Sequence, residues 1–418
     1  MEEYIEGAGG TSELALLLLK HVDVSLAGFM DDSQYLLSAL GFLNRAQVRN
    51  GALRPALLAH GMMRTHTGVL AALGRSADPC QGFAREMLIN YSLVLLPSFL
   101  CAEPMPRHAI QALKAGLLSA LINISLNFTD AQVLQPLEYI LKKILPAAMA
   151  HYSVLWRMVT MLSTLGAVVA SRPFKASRMY PFWRVILEVA VDRLPVLTDY
   201  EAVRESMRAC DNGPCSKIGG KSAFSRCSGC YSVYYCSAPC QKADWRLGRH
   251  REACATLHAS RHTDLLRGRE LSFMRALVHA DYLAQRTEIL CLQIGYLNQR
   301  PDVDIYLLFW YTEGKVDIKI YRVGVYPPTY DWGIDWAYWA RRKRASGGRM
   351  ELHLVVTTCW AGGTCARMIP RRCRDARVSE GLARIAALPM PRGGEDVVGD
   401  MYEPLVIALK EEDEGSIH

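Results

Sequence analysis

The sequence predicts a multidomain chain: an all-α N-terminal domain over residues 1–205, a small cysteine-rich module over 206–258, and an α+β domain over 259–418. Three observations predict it. Apolar residues recur at helical spacing through the first half, seven cysteines crowd between Cys210 and Cys254, and strand-period alternation follows them.

Half of the 418 residues are apolar and 21% are charged, a globular composition long enough for two or three domains. The N-terminus "MEEYIEGAGG" is acidic, and the apolar run "LALLLL" behind it is six residues long. A secretory leader needs a basic start and a longer apolar core. An intracellular protein, cytoplasmic or nuclear, is therefore expected, and clustered cysteines in a reducing compartment are metal ligands more often than disulfides. The sequons at Asn123 and Asn127 are then chance matches. The most membrane-like stretch, Met87 to Ala102, has 16 residues and contains Asn90 and Pro97. It is too short for a span and reads as a buried helix, so no membrane partner is expected. The formal charge of +7 is mild and implies no nucleic acid by itself.

In the first 205 residues, Ile110, Leu113, Leu117, Leu118, Leu121 and Ile124 form one helical stripe. A second runs from Val133 to Leu145, with Asp130 as its start and Pro146 as its stop. "SQYLLSALGFLNRA", "RPALLAHGMMRTHTGVLAALG" and "SVLWRMVTMLSTLGAVVA" have the same texture. Such a succession suits an armadillo-like stack or an irregular helical bundle, and no fixed repeat decides between them. After the cysteines, "TDLLRGRELSFMRALVHADYLAQRTEILCLQIGYL" reads as amphipathic helix. "DIYLLFWYTEGKVDIKIYRVGV" reads as two strands turning at Gly314, and "MELHLVVTTCW" as another strand. The charged tail "KEEDEGSIH" is expected to fray.

From Cys210 the spacing is C-x4-C-x11-C-x2-C-x5-C-x3-C-x9-H-x3-C. The candidate ligands are Cys210, Cys215, Cys227, Cys230, Cys236, Cys240, His250 and Cys254. Eight soft ligands fill two tetrahedral zinc sites with no open position, as structural zinc is held. Paired thiolates can bite one ion from a tight turn, and "CSGC" offers Gly229 for it. His250 and Cys254 lie one helical turn apart. A segment with so little core needs the metal for its folding free energy, on the order of 10 kcal/mol per site.

The fillings "CSGC", "YYCS", "CQKADW" and "HREAC" make 210–254 resemble a MYND-type zinc finger. The resemblance implies a cross-braced fold with interleaved ligands: Cys210, Cys215, Cys236 and Cys240 on one ion, Cys227, Cys230, His250 and Cys254 on the other. The first pair is wider than the common C-x2-C, and the loop before His250 is long. The resemblance also implies a protein partner, a short proline-containing peptide docking beside Gln241 and Trp245. Tyr234 and Tyr235 read as core. The layout, with "CDNGPC" and "FMRALVHADYLAQRTEIL", is also similar to fungal MYND-type proteins, which implies no activity.

Charge argues against a DNA-binding alternative. The segment carries seven Lys or Arg and three acids, and with seven thiolates and two Zn²⁺ its net charge is about +1. The basic run Arg341 to Arg344 reads as a solvated loop between strands in preference to a nuclear localisation signal, and Arg371, Arg372 and Arg374 share that ambiguity. Some MYND fingers sit in SET-domain lysine methyltransferases. This chain has no Asn-His pair, its single Gly-Glu is Gly394-Glu395, and helices precede the finger. Phosphate-binding and hydrolase motifs are missing too, and Cys365 in "GGTCAR" reads as an idle thiol in a loop. The expected function is thus a non-enzymatic, zinc-binding interaction adaptor. Methyltransferase and nucleic-acid-associated regulator are the alternatives.

Overall fold

In the computed structural model the apolar stripes of the first half become helices α1 (Glu2–Ala8), α2 (Thr11–Ala27), α3 (Ser33–Arg49), α4 (Leu53–Ala59), α5 (Met62–Arg75), α6 (Gly82–Leu100), α7 (Met105–Lys114), α8 (Leu117–Asn127), α9 (Ala131–Tyr139), α10 (Leu145–Ala148), α11 (Tyr152–Thr164), α12 (Gly166–Ala170), α13 (Arg172–Ala176) and α14 (Tyr180–Ala202). The structure describes residues 1–28, 33–75, 82–102, 105–203, 207–215, 217–263, 268–327, 330–358, 363–388, 407 and 417. The chain packs as two compact units. One holds residues 1–194 with 312–315 and 358–364; the other holds 195–311, 316–357 and 365–418. The cysteine-rich module belongs to the second.

In the first unit α5 packs on α6 and α8, α6 on α9, α2 on α3 and α4, and α7 on α11. Helix α8 is apolar nearly all round, and Leu117, Leu118, Leu121 and Ile124 are fully buried. Its one buried hydroxyl, Ser125, donates to Leu121 O and accepts from Trp183 Nε1. The expected single helix over 110–124 is in fact two. Gly116 takes φ 97, a left-handed conformation open to glycine, and the axis bends by 66° there. Asp130 does start α9, accepting from Gln132 N at 2.7 Å. Pro146 does not end the second stripe. A π-turn over Ile140–Ile144 leads into α10, and Pro146 sits in its first turn, where a missing N–H is tolerated. The membrane-like stretch lies within α6 as far as Leu100, with Leu88, Ile89, Leu93, Leu96 and Phe99 buried. No single helix among the described residues is long and apolar enough to cross a membrane.

Among the histidines buried in this helical core are His66 and His151. His66 reaches Ser92 O through Nε2 at 2.9 Å, and His151 is 3% exposed. Burial lowers each to about 4. Both are neutral when folded, so protons bind preferentially to the unfolded chain. Stability from this source is intact above about pH 6.5 and falls as pH drops towards 4, by up to about 3 kcal/mol per histidine. Helical melting followed by circular dichroism from pH 7 to 4 should show this slope, and His66→Met should flatten it.

The second unit is built around a mixed sheet. Its elements beyond the cysteine-rich module are α17 (Arg269–Ala284), α18 (Arg286–Gln299), β5 (Ile305–Glu313), β6 (Lys315–Arg322), α19 (Trp336–Ala345), β7 (Met350–Thr358), β8 (Thr364–Met368), β9 (Arg371–Arg372) and α20 (Arg377–Ala386). Strand order is β6-β5-β7-β8, with β9 pairing β7. Strands β5 and β7 run parallel, from Tyr306 opposite Leu352 to Trp310 opposite Val356. Both faces of β7 are covered, so His353 and Val355 are as buried as Leu352, Leu354 and Val356. On one face Leu308, Leu354 and Val356 meet Trp332, Trp336 and Trp339. On the other, the His353 ring lies 5.4 Å from Tyr282 and 5.0 Å from Phe309.

Three expectations for this region are corrected. Arg341 to Arg344 are not in a loop; they form the last turns of α19, which Asp335 caps by accepting from Tyr338 N. Arg342 is 4% exposed, and Arg371 and Arg372 are buried on β9. Cys365 lies in strand β8, not in a loop. Of the tail, Ile417 pairs with Arg372. The rest of "KEEDEGSIH", the Gly394-Glu395 pair, Cys80 and Cys359 lie outside the described residues.

Candidate metal centre

Residues 207–263 hold two short strand pairs followed by two helices. Strand β1 (Met207–Ala209) pairs antiparallel with β2 (Ile218–Gly220), and β3 (Ser225–Arg226) with β4 (Tyr234–Tyr235). Helices α15 (Ala238–Arg246) and α16 (His250–Thr263) follow. Ser237 caps α15 by accepting from Cys240 N, and Pro239 occupies the first turn. That cap aims Cys236 and Cys240 at one point. His250 and Cys254 lie on the first turns of α16, four residues apart on one face.

The eight residues meet in two groups, alternating along the chain. Cys210, Cys215, Cys236 and Cys240 form one; Cys227, Cys230, His250 and Cys254 form the other. Ligand atoms within each group lie within 4.8 Å of one another. The separations test the fit. Cys215 Sγ is 3.8 Å from Cys236 Sγ, which is 3.6 Å from Cys240 Sγ. In the second group Cys227 and Cys254 are 3.9 Å apart, and His250 Nε2 lies 3.3 Å from Cys227 Sγ and 3.6 Å from Cys230 Sγ. Tetrahedral zinc with Zn–S bonds of about 2.3 Å places sulfurs about 3.8 Å apart, whereas a disulfide needs about 2.05 Å. Both groups are suited to one zinc ion each.

Their electrostatics call for a cation. Burial and the neighbouring Cys230 push Cys254 up to about 12, and burial raises Cys210 and Cys230. At Cys240 burial is outweighed by hydrogen bonds with Ser237 and Cys236, and the thiol falls to about 7. Burial holds His250 below its ordinary value, leaving the neutral imidazole that a metal requires. Zn²⁺ reverses the raised thiols by deprotonating those it binds.

Gly229 is needed for space: a Cβ there would stand 2.9 Å from Cys254 Sγ. The left-handed residue of that knuckle is Tyr231, at φ 53. Besides the ligands, the buried hydrophobic side chains among the described residues of the module are Phe224, Val233, Tyr234 and Tyr235. Arg208 and Arg226 lie over the Tyr234 ring at 5.3 and 5.2 Å. Sequence reasoning missed the second layer. Asp244 is 2% exposed; it accepts from Tyr235 Oη at 2.7 Å and lies 3.5 Å from Arg342 Nη1. Asp211 accepts from Tyr234 N at 2.7 Å and from Arg342 Nη2 at 3.0 Å. Their signal was adjacency, since Asp211 follows a ligand and Asp244 lies between two; Arg342, far along the chain, had none.

Gln241 and Trp245 sit one turn apart on α15. Trp245 is 39% exposed, and its ring meets His250 edge-on at 5.7 Å. Leu247 beside it is 85% exposed. Two comparisons with known proteins add nothing at the level of the whole chain: no curated protein and no solved structure matches it. A family model does match part of it. Residues 210–254 match the MYND finger, and its span begins and ends on the first and last ligands of the two metal groups.

Proposed function

From a chain that carries a MYND finger, a protein-interaction module with two zinc sites, we propose an adaptor whose finger docks a short proline-containing peptide on Gln241 and Trp245. One observation supports it most. Trp245 keeps two-fifths of its surface open while its ring meets that of His250, itself in the metal group, at 65° and 5.7 Å between centroids. Zinc would therefore hold still a flat aromatic face on which proline rings can stack. Gln241, half-buried one turn away, supplies an amide for the peptide backbone. Leu247 extends the apolar surface. In this reading the helical region is an armadillo-like stack offering a second protein surface, supported by the packing of α5, α6, α8 and α9 on near neighbours in the chain. The reading is non-enzymatic, and it places the protein in the cytoplasm or nucleus, where thiol ligands stay reduced.

The test is a binding titration of the zinc-loaded chain against an array of proline-containing peptides. A binder is expected, and Trp245→Ala should weaken it at least about tenfold with both zinc ions retained. Equal binding by the variant would refute the docking face. Methyl transfer from a labelled donor to a protein substrate would refute the non-enzymatic reading.

A further inference from the structure

The wide first knuckle of the finger has a partner inside the molecule. Its four intervening residues, Asp211 to Pro214, and the following Cys215 meet three arginines from later in the chain. Arg342 of α19 donates through Nη2 to both the backbone carbonyl and the carboxylate of Asp211. Arg349, between α19 and β7, donates to Pro214 O at 2.8 Å. Arg372 of β9 donates to Cys215 O at 3.4 Å. The approach is close: a Cβ on Gly213 would stand 2.8 Å from Ala345 Cβ. Arg342 and Arg372 are 4% and 6% exposed.

Charge gives this clamp a purpose. A zinc ion held by four thiolates has a net charge of about −2. Asp211, which follows the ligand Cys210, and the buried Asp244, which meets the same Arg342, add two more negative charges. A cluster of that sign is costly to bury unless cations meet it. Three guanidiniums supply them, and Tyr338 Oη, 3.1 Å from Arg342 Nη1, helps fix the most buried one. Burial opposes the Arg342 charge, yet Tyr338, Asp211 and Asp244 hold its guanidinium above its ordinary value.

We infer that the all-cysteine site is completed by the C-terminal region: Arg342, Arg349 and Arg372 dock the Cys210–Cys215 loop, and zinc retention there is linked to the folding of α19 and the β7–β9 pair. The finger is then one side of an internal interface and not an autonomous module, and the extra residues of its first knuckle form the contact. The inference is independent of what the finger binds. Linkage is reciprocal: if the arginines strengthen zinc binding, zinc stabilises the elements that carry them.

Cobalt tests this in the full chain, because an all-sulfur site and a site with three sulfurs and one imidazole nitrogen absorb differently. The cobalt-loaded chain is titrated with a competing chelator. Arg342→Met should lose cobalt from the all-sulfur site at least about tenfold more readily, with the mixed site unchanged. Arg349→Met and Arg372→Met, which each remove one carbonyl contact, should do the same to a smaller degree and keep the test open if Arg342→Met does not fold. Wild-type affinity at the all-sulfur site in all three, or equal weakening at both sites, would overturn the inference. In the reciprocal arm, stripping zinc should speed amide exchange in Met350–Thr358 and Trp336–Ala345 while α5 and α8 stay protected. Unchanged exchange in those two segments would also overturn it.

Discussion

Removing zinc should unfold residues 207–254 and leave the helical unit standing. Two structural sites contribute on the order of 10 kcal/mol each, more than the whole stability of a typical domain. Nothing else in the module can replace that. Four buried hydrophobic side chains besides the ligands make its apolar core, and its strands are two or three residues long. The helical unit has its own core of fully buried leucines and no part of the metal groups, so it should not respond. Hydrogen exchange before and after chelation reads both halves of the prediction. Full protection of Tyr234 and Tyr235 without metal would break it. Acid should act as a weak chelator. The ligands bind as thiolates and neutral imidazole, so each step down in pH costs affinity. Cys254, at about 12 without a cation, loses its proton to solvent only when a metal ion binds the sulfur in its place, whereas Cys240 lies lower, at about 7. Zinc content by elemental analysis should be two per chain at neutral pH and should fall on acidification.

How much of this was legible in the sequence depends on the range of the interactions. The ligands were legible because chelation imposes short spacings. Helices were legible by their stripes, but their breaks were not, since Gly116 and Gly61 interrupt the axis without disturbing the apolar spacing. Strand β7 showed its alternation at Leu352, Leu354 and Val356 but hid its second buried face, because His353 and Glu351 look like solvent-facing residues. The basic runs misled for the same reason. Arg342, Arg371 and Arg372 are charged residues whose partners lie 131, 20 and 157 positions away, and a single sequence carries no sign of such pairings. Charge in the sequence reads as surface until a counter-charge is placed beside it.

Glu351→Leu should destabilise the second unit by about 3–5 kcal/mol, the usual cost of stranding one partner of a buried ion pair. Arg371 is fully buried, and its Nη1 donates to Glu351 Oε2 at 2.6 Å. The pair sits where β7 and β9 run in register, Glu351 opposite Arg371. Gln293 Nε2 donates to the other carboxylate oxygen at 3.2 Å, His353 Nε2 lies 3.6 Å from the carboxylate, and the guanidinium lies 4.4 Å from the Tyr282 ring centroid. Burial raises the Glu351 carboxyl, but the Arg371 charge and the His353 contact outweigh it and hold it well below the usual carboxylate range. A carboxylate whose folded value is depressed lends stability that is present above its unfolded value of about 4.3 and is lost as pH falls through the folded one. Denaturant unfolding at pH 7 should therefore show the full penalty in the variant, and the gap to wild type should narrow in acid. The double variant Glu351→Leu with Arg371→Met separates an ion pair from mere packing. Removing both charges leaves neither stranded, so it should regain most of the loss, whereas additive losses would show that the two side chains act independently and that the pair is not what holds β7 to β9.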